Sequence, residues 1–96
     1  GIHTISYLHH YAEYGYYLNQ KEVGHGYITE AVRLLEKELF QRGIHRLIIT
    51  CDVNNQASAA VARRCGFELE GKMREARFAY GSYRDELLFA KINPGK

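Results

Sequence analysis

The chain holds 96 residues, 46% of them hydrophobic, with a formal net charge of +2, which is enough for one domain around a single core. The charge is too small and the Lys and Arg residues too scattered to specify a nucleic-acid surface, and a solvated exterior accounts for them. No apolar run approaches the roughly 18 residues of a membrane span, and Cys51 and Cys65 form neither a CxxC pair nor a disulfide framework. Buried, reduced thiols are expected, and with no signal peptide visible they point to a cytoplasmic protein. The chain begins at Gly1 rather than Met, which fits a tag scar, a processed end or a fragment.

Two segments rich in β-branched and aromatic residues open the chain, His3 to Leu8 and Glu13 to Leu18, and they predict an antiparallel pair of strands. Residues 19–26 are polar and contain glycine, as a loop would be. From Tyr27 to about Arg42 the apolar residues Ile28, Ala31, Val32, Leu35 and Leu39 recur at helical spacing, and Gly43 supplies a left-handed stop. Arg46 to Cys51 is a nearly continuous apolar run, the mark of a central strand. After the turn at Asn54-Asn55, Gln56 to Cys65 predicts a second helix, with Ala57, Ala60 and Val61 on one face and Gly66 at its end. Phe67 to about Tyr80 reads as one long or broken strand, bent at Gly71. Tyr80-Gly81-Ser82 turns the chain, and Tyr83 to Ile92 returns as the last strand. The order β-β-α-β-α-β-β predicts a mixed α/β sheet, parallel in the middle and antiparallel at its two hairpins.

The segment from Gln20 to Tyr27 joins a strand to a helix. The unpaired N–H groups and positive dipole end of a helix N-terminus attract phosphate oxygens. Glycines at 24 and 26 permit close approach of backbone to an anion, although a plain strand-to-helix turn would also use them. Gly26 is followed by Tyr27-Ile28 rather than Lys-Ser/Thr, which excludes a P-loop. Thr29 stands where the dinucleotide fingerprint needs a third small residue. The loop therefore suits a pyrophosphate that belongs to neither an NTP nor a dinucleotide.

Glu13 to Leu18 followed by Gly24-His-Gly-Tyr-Ile-Thr-Glu-Ala-Val32 resembles the acetyl-CoA motif of the GNAT superfamily, more narrowly its ribosomal-protein (Rim-type) N-terminal acetyltransferases. The likeness continues through Asn55-Gln-Ala-Ser58, Gly66 to Gly71, and Tyr83 to Ile92, in unbroken order over nearly the whole chain. It implies one partial GNAT domain over residues 1–96, with acetyl-CoA as co-substrate, no metal, and a primary amine, such as a protein N-terminus, as acceptor. On the resemblance, the backbone of Val23, Gly24, His25, Gly26, Tyr27 and Ile28 would grip the CoA pyrophosphate. The strand ending at Tyr17 and Leu18 would splay from 46–51 and offer a backbone N–H to the thioester oxygen. Asn55 would bond the pantetheine arm or a nearby water, and Ser58 would protonate the departing thiolate. Read from the residues alone, Asn55 serves equally as a helix N-cap and Ser58 as a helix-start hydroxyl bonded to local backbone.

The chain also departs from that family. Rim-type enzymes often carry a Glu, proposed as general base, at the position of Arg77. Glu75, two residues away and on the same side in a regular strand, is one substitute. Glu13, which begins the splayed strand, is another, and surface salt bridges would also explain both. The five histidines complete no metal set. The alternating tyrosines of the first two strands suit packing better than base stacking. The family's leading strand, two helices and a further strand have no counterpart, so a catalytically silent CoA-binding module is the rival reading. A nucleotide-binding regulator is the third. A sheet opening at residues 1–8 without those neighbours is expected to pair with a second copy, through its first two strands or its C-terminal hairpin.

Overall fold

Ile28, Val32, Leu35 and Leu39 fall on one face of a helix only at 3.6 residues per turn, and that helix forms. The computed structural model describes residues 2–9, 13–18 and 27–95. Its elements are β1 (Ile2–His9), β2 (Glu13–Leu18), α1 (Tyr27–Gln41), β3 (Arg46–Asp52), α2 (Gln56–Arg64), β4 (Glu68–Ala79) and β5 (Ser82–Ile92). Both helices end as their glycines require. Gly43 (φ +91°) and Gly66 (φ +85°) take left-handed conformations in which a side chain is strained, and each lets the following residue bond back into its helix.

The strands make one five-stranded sheet in the order β1-β2-β3-β5-β4. Among neighbouring strands only β2 and β3, joined through α1, run parallel; β3 and β4 are joined through α2 but are separated in the sheet by β5, which is antiparallel to both. Along β3, Leu47, Ile49 and Cys51 point to one face. There they meet Ile28 and Val32 of α1, Ala59, Val61 and Ala62 of α2, and Phe89 of β5 in a single buried cluster. Both helices therefore cover the same face. Ile48, Thr50 and Asp52 alternate onto the other. The two cysteines are free and buried, as expected.

The long hairpin differs in one respect from expectation. A bend near Gly71 is present as a register shift between Leu69 and Gly71, but a second shift lies between Met73 and Arg77. In it Glu75 takes φ +51° and donates its backbone N–H to Asp85 Oδ1 at 2.8 Å. A carboxylate acceptor placed across the strand stabilises an irregularity that alternation alone would not reveal. At the tip Tyr80 and Gly81 both have positive φ, +54° and +80°, as a two-residue hairpin turn requires. No helix among the described residues is long and apolar enough to cross a membrane.

Candidate active site

Pairing between β2 and β3 runs from Glu13↔Arg46 to Tyr17↔Thr50. Beyond it β3 continues to Asp52, while Leu18 pairs only with Ile2 of β1. In a strand–helix–strand unit the helix starts near the carboxyl end of the strand before it. The N-terminus of α1 and that of α2, four residues after Asp52, thus lie at the carboxyl end of the parallel pair. In α2 the Gln56 and Ser58 N–H groups are already taken by Asn54 and Asn55, so the first turn of α1 is the better source of helix N–H groups for an anionic ligand at that end.

Ser58 sits in the first turn of α2 and is fully buried. Its backbone N–H donates to Asn55 Oδ1 at 3.0 Å, which makes Asn55 the N-cap of the helix. The Ser58 hydroxyl itself has no hydrogen-bond partner among the described residues. An isolated buried hydroxyl costs about 1–3 kcal/mol, and native folds rarely leave one without a use.

The sheet face away from the helices carries charge at the same level. Asp52 accepts two hydrogen bonds from Arg84, Nε to Oδ2 at 2.7 Å and Nη2 to Oδ1 at 3.0 Å, and one from the Asn54 backbone at 2.9 Å. Arg84 holds its carboxyl below the usual carboxylate range. Glu86 is the Cα partner of Asp52 on β5, with its side chain only 9% exposed, and Arg77 Nε stands 3.2 Å from its Oε2. Burial pushes the Glu86 carboxyl up, Arg77 draws it back, and the Asp52 carboxylate adds to the rise. Behind them, burial together with Glu86 and Asp52 raises the Cys51 thiol to about 11, so it stays protonated and a poor nucleophile near neutral pH.

The residues singled out in the sequence distribute unevenly. Val23, Gly24, His25 and Gly26 lie outside the described residues. Tyr27 and Ile28 form the first turn of α1, with the Ile28 side chain buried in the core, so only its backbone remains for a ligand. Tyr17, still paired with Thr50, and Leu18 end β2 at the carboxyl end of the parallel pair, the same end as Asn55 and Ser58. Glu13 begins β2, five residues and roughly 17 Å of strand from Leu18. Glu75 is exposed in the second register shift, so the alternation that would set it beside Arg77 is broken. The carboxylate beside Arg77 is Glu86, which the sequence reading passed over as part of a strand. Its one signal was a charged residue directly before the apolar run Leu87-Leu88-Phe89-Ala90.

With this fold and site in view, the chain belongs to the GNAT acetyltransferases: the family model described as "Acetyltransferase (GNAT) domain" matches residues 1–68. Within the family it is similar to the ribosomal-protein-serine acetyltransferase of Escherichia coli (strain K12), with 39% identity over 92 residues, 95% of this chain and 51% of that protein. The solved structure of RimL, a ribosomal L7/L12 alpha-N-protein acetyltransferase, in complex with coenzyme A aligns with a TM-score of 0.74. The identity is 39%, over 88% of this chain and 48% of that one. The microcin C7 self-immunity acetyltransferase MccE, in complex with acetyl-CoA and AMP, aligns with a TM-score of 0.69 at 36% identity, over 83% of this chain and 45% of that one. The chain spans about half the length of the relatives it matches.

Proposed function

We propose that the chain binds acetyl-CoA at the carboxyl ends of β2 and β3 and transfers the acetyl group to a primary amine, a protein N-terminal amine by preference. The observation that carries the reading is the buried hydroxyl of Ser58 in the first turn of α2, after the carboxyl end of β3, which has no hydrogen-bond partner among the described residues. Such a donor is suited to a partner that arrives with the ligand. The acceptor class rests on the similar proteins, among them one whose solved structure is described as modifying an N-terminal serine.

On this reading the first turn of α1 and the loop before it hold the pyrophosphate, and a backbone N–H near Tyr17 and Leu18 faces the thioester oxygen. Ser58 gives its proton to the departing sulfur and regains one from water. Asn55 fixes the start of α2 and thereby the place of Ser58. The buried free thiols support a cytoplasmic location. The test is calorimetry with acetyl-CoA alongside turnover with a peptide bearing a free N-terminal serine. Gly26→Val puts a branched side chain where the phosphate would lie, and affinity should fall at least about tenfold, a loss of ~1.4 kcal/mol. Equal affinity removes the loop from the site, and binding without turnover makes the chain a silent CoA-binding module.

We also propose that the chain forms a two-fold homodimer. The β4 edge is a poor pairing edge, since it is kinked twice and lined by Glu68, Glu70, Lys72, Arg74 and Arg77. The hairpin tip is apolar instead. Phe78, Tyr80 and Tyr83 are 63%, 88% and 66% exposed, with the Phe78 and Tyr83 rings packed edge-on at 5.1 Å. Sedimentation at micromolar concentration should give twice the 11.1 kDa chain mass, and Tyr80→Ser with Tyr83→Ser should shift it to the monomer. A parent chain that sediments as an 11.1 kDa monomer ends the proposal.

A further inference from the structure

An acetyl acceptor that arrives as an ammonium must lose a proton before its nitrogen can attack, so a proton acceptor has to stand near the thioester. The three carboxylates at or near the carboxyl end of β3 differ sharply in fitness for that task. Asp52 is engaged twice by Arg84 and once by a backbone N–H, and is held below the usual carboxylate range. Asp85 accepts the Glu75 backbone N–H and stands 4.0 Å from Lys72. Glu86 follows Asp85 on β5 and pairs in register with Asp52; it is buried, and its Oε2 accepts no hydrogen bond among the described residues. The Arg77 contact at 3.2 Å is an ion pair to that oxygen.

Position supports the same choice. Glu86 is level with Asp52, two residues beyond the last β2–β3 pair at Thr50, and so lies at the carboxyl end of β3, on the neighbouring strand. Asp52 and Glu86 alternate onto the face away from the helices, whereas Ser58 belongs to α2 on the helix face. A thioester held at the carboxyl ends of β2 and β3 would have the Ser58 hydroxyl toward one face and the Glu86 carboxylate toward the other. That is the arrangement acyl transfer needs, with a proton donor to sulfur on one side and a proton acceptor from nitrogen on the opposite side.

We propose that Glu86, held by Arg77, is the proton acceptor for the attacking amine. The inference rests on the acetyl-transfer reading above. In the step, one ammonium proton passes to the Glu86 carboxylate, directly or through one water, and then to solvent. The freed nitrogen lone pair forms the C–N bond as the C–S bond breaks. The second nitrogen proton balances the one that Ser58 gives to sulfur. The charged and titratable groups around Glu86 are Asp52 on β3, Arg77 on β4, Arg84 on its own strand and the Cys51 thiol behind the sheet. Burial and Asp52 favour the protonated form and Arg77 the ionised one, which sets the basicity of the carboxylate above that of an exposed Glu.

The experiment is the pH profile of kcat/KM for acetylation of an N-terminal serine peptide, with acetyl-CoA affinity measured by calorimetry in parallel. Glu86→Gln keeps the side-chain size. It should lower kcat by about 10²–10⁴-fold, abolish the acid limb of the profile and leave acetyl-CoA affinity unchanged. Arg77→Gln removes the group that favours the ionised carboxylate, so the acid limb should move to higher pH. Glu86→Asp keeps a carboxylate, and should retain an acid limb with reduced kcat; it decides the matter if the Gln variant fails to fold. Parental turnover and an unchanged acid limb in Glu86→Gln, or in Glu86→Asp an acid limb that is lost, overturn the assignment while leaving acetyl transfer intact. A parent chain that binds acetyl-CoA and transfers nothing overturns both readings together.

Discussion

Ser58→Ala should lower kcat by about 10²–10⁴-fold, the usual range for one acid–base group, with acetyl-CoA affinity nearly unchanged. The loss is confined to the transition state, because the hydroxyl is asked for a proton only as the C–S bond breaks. The same substitution should leave the fold intact or raise its stability by up to about 1–3 kcal/mol, since it removes a buried hydroxyl that has no partner among the described residues. These two outcomes separate catalysis from structure. A serine whose hydroxyl bonded the local backbone would give the reverse pattern, a less stable fold with full turnover. Turnover at saturating acetyl-CoA and urea unfolding of the same preparation decide between them.

Phe89→Ala should destabilise the chain by about 3–5 kcal/mol, a large share of the 5–15 kcal/mol typical of a whole domain. Phe89 is fully buried on β5, paired with Ile49 of β3 and Leu69 of β4, and faces the helices. The Arg63 guanidinium of α2 lies 5.4 Å from its ring centre, so the truncation also removes a cation–π contact between helix and sheet. The neighbours Leu47, Ile49, Cys51 and Val32 are themselves fully buried and cannot collapse inward without leaving their own contacts. The urea midpoint should fall with little change in the slope, and a midpoint within error of the parent would remove Phe89 from the centre of the core.

The helices and most strands were legible because their signals are local. The spacing from Ile28 to Leu39, the apolar run from Leu47 to Cys51, and glycines at 43 and 66 each follow from backbone geometry within a few residues. Ser58 and Asn55 were found through resemblance, and the capping role of Asn55 was also open to local reasoning, because Asn three residues before a helix N–H is a common cap. The second irregularity in β4 was not legible. It depends on Asp85, ten residues further along, reaching the Glu75 N–H across the hairpin.

The sequence by itself determined the order of elements, the helix faces, the parallel crossing of β2 and β3 and the family to which the chain belongs. Each of these is written in periodicity, punctuation or spaced motifs. Only the tertiary structure decided which charges meet. Arg84 finds Asp52 and Arg77 finds Glu86 because β5 inserts between β3 and β4, an arrangement no local pattern encodes. The same insertion buries Glu86 and moves its carboxyl upward, while the second β4 shift takes Glu75 away from the side of Arg77. Burial and ion pairing are properties of neighbours in space, so the choice among carboxylates had to wait for the fold.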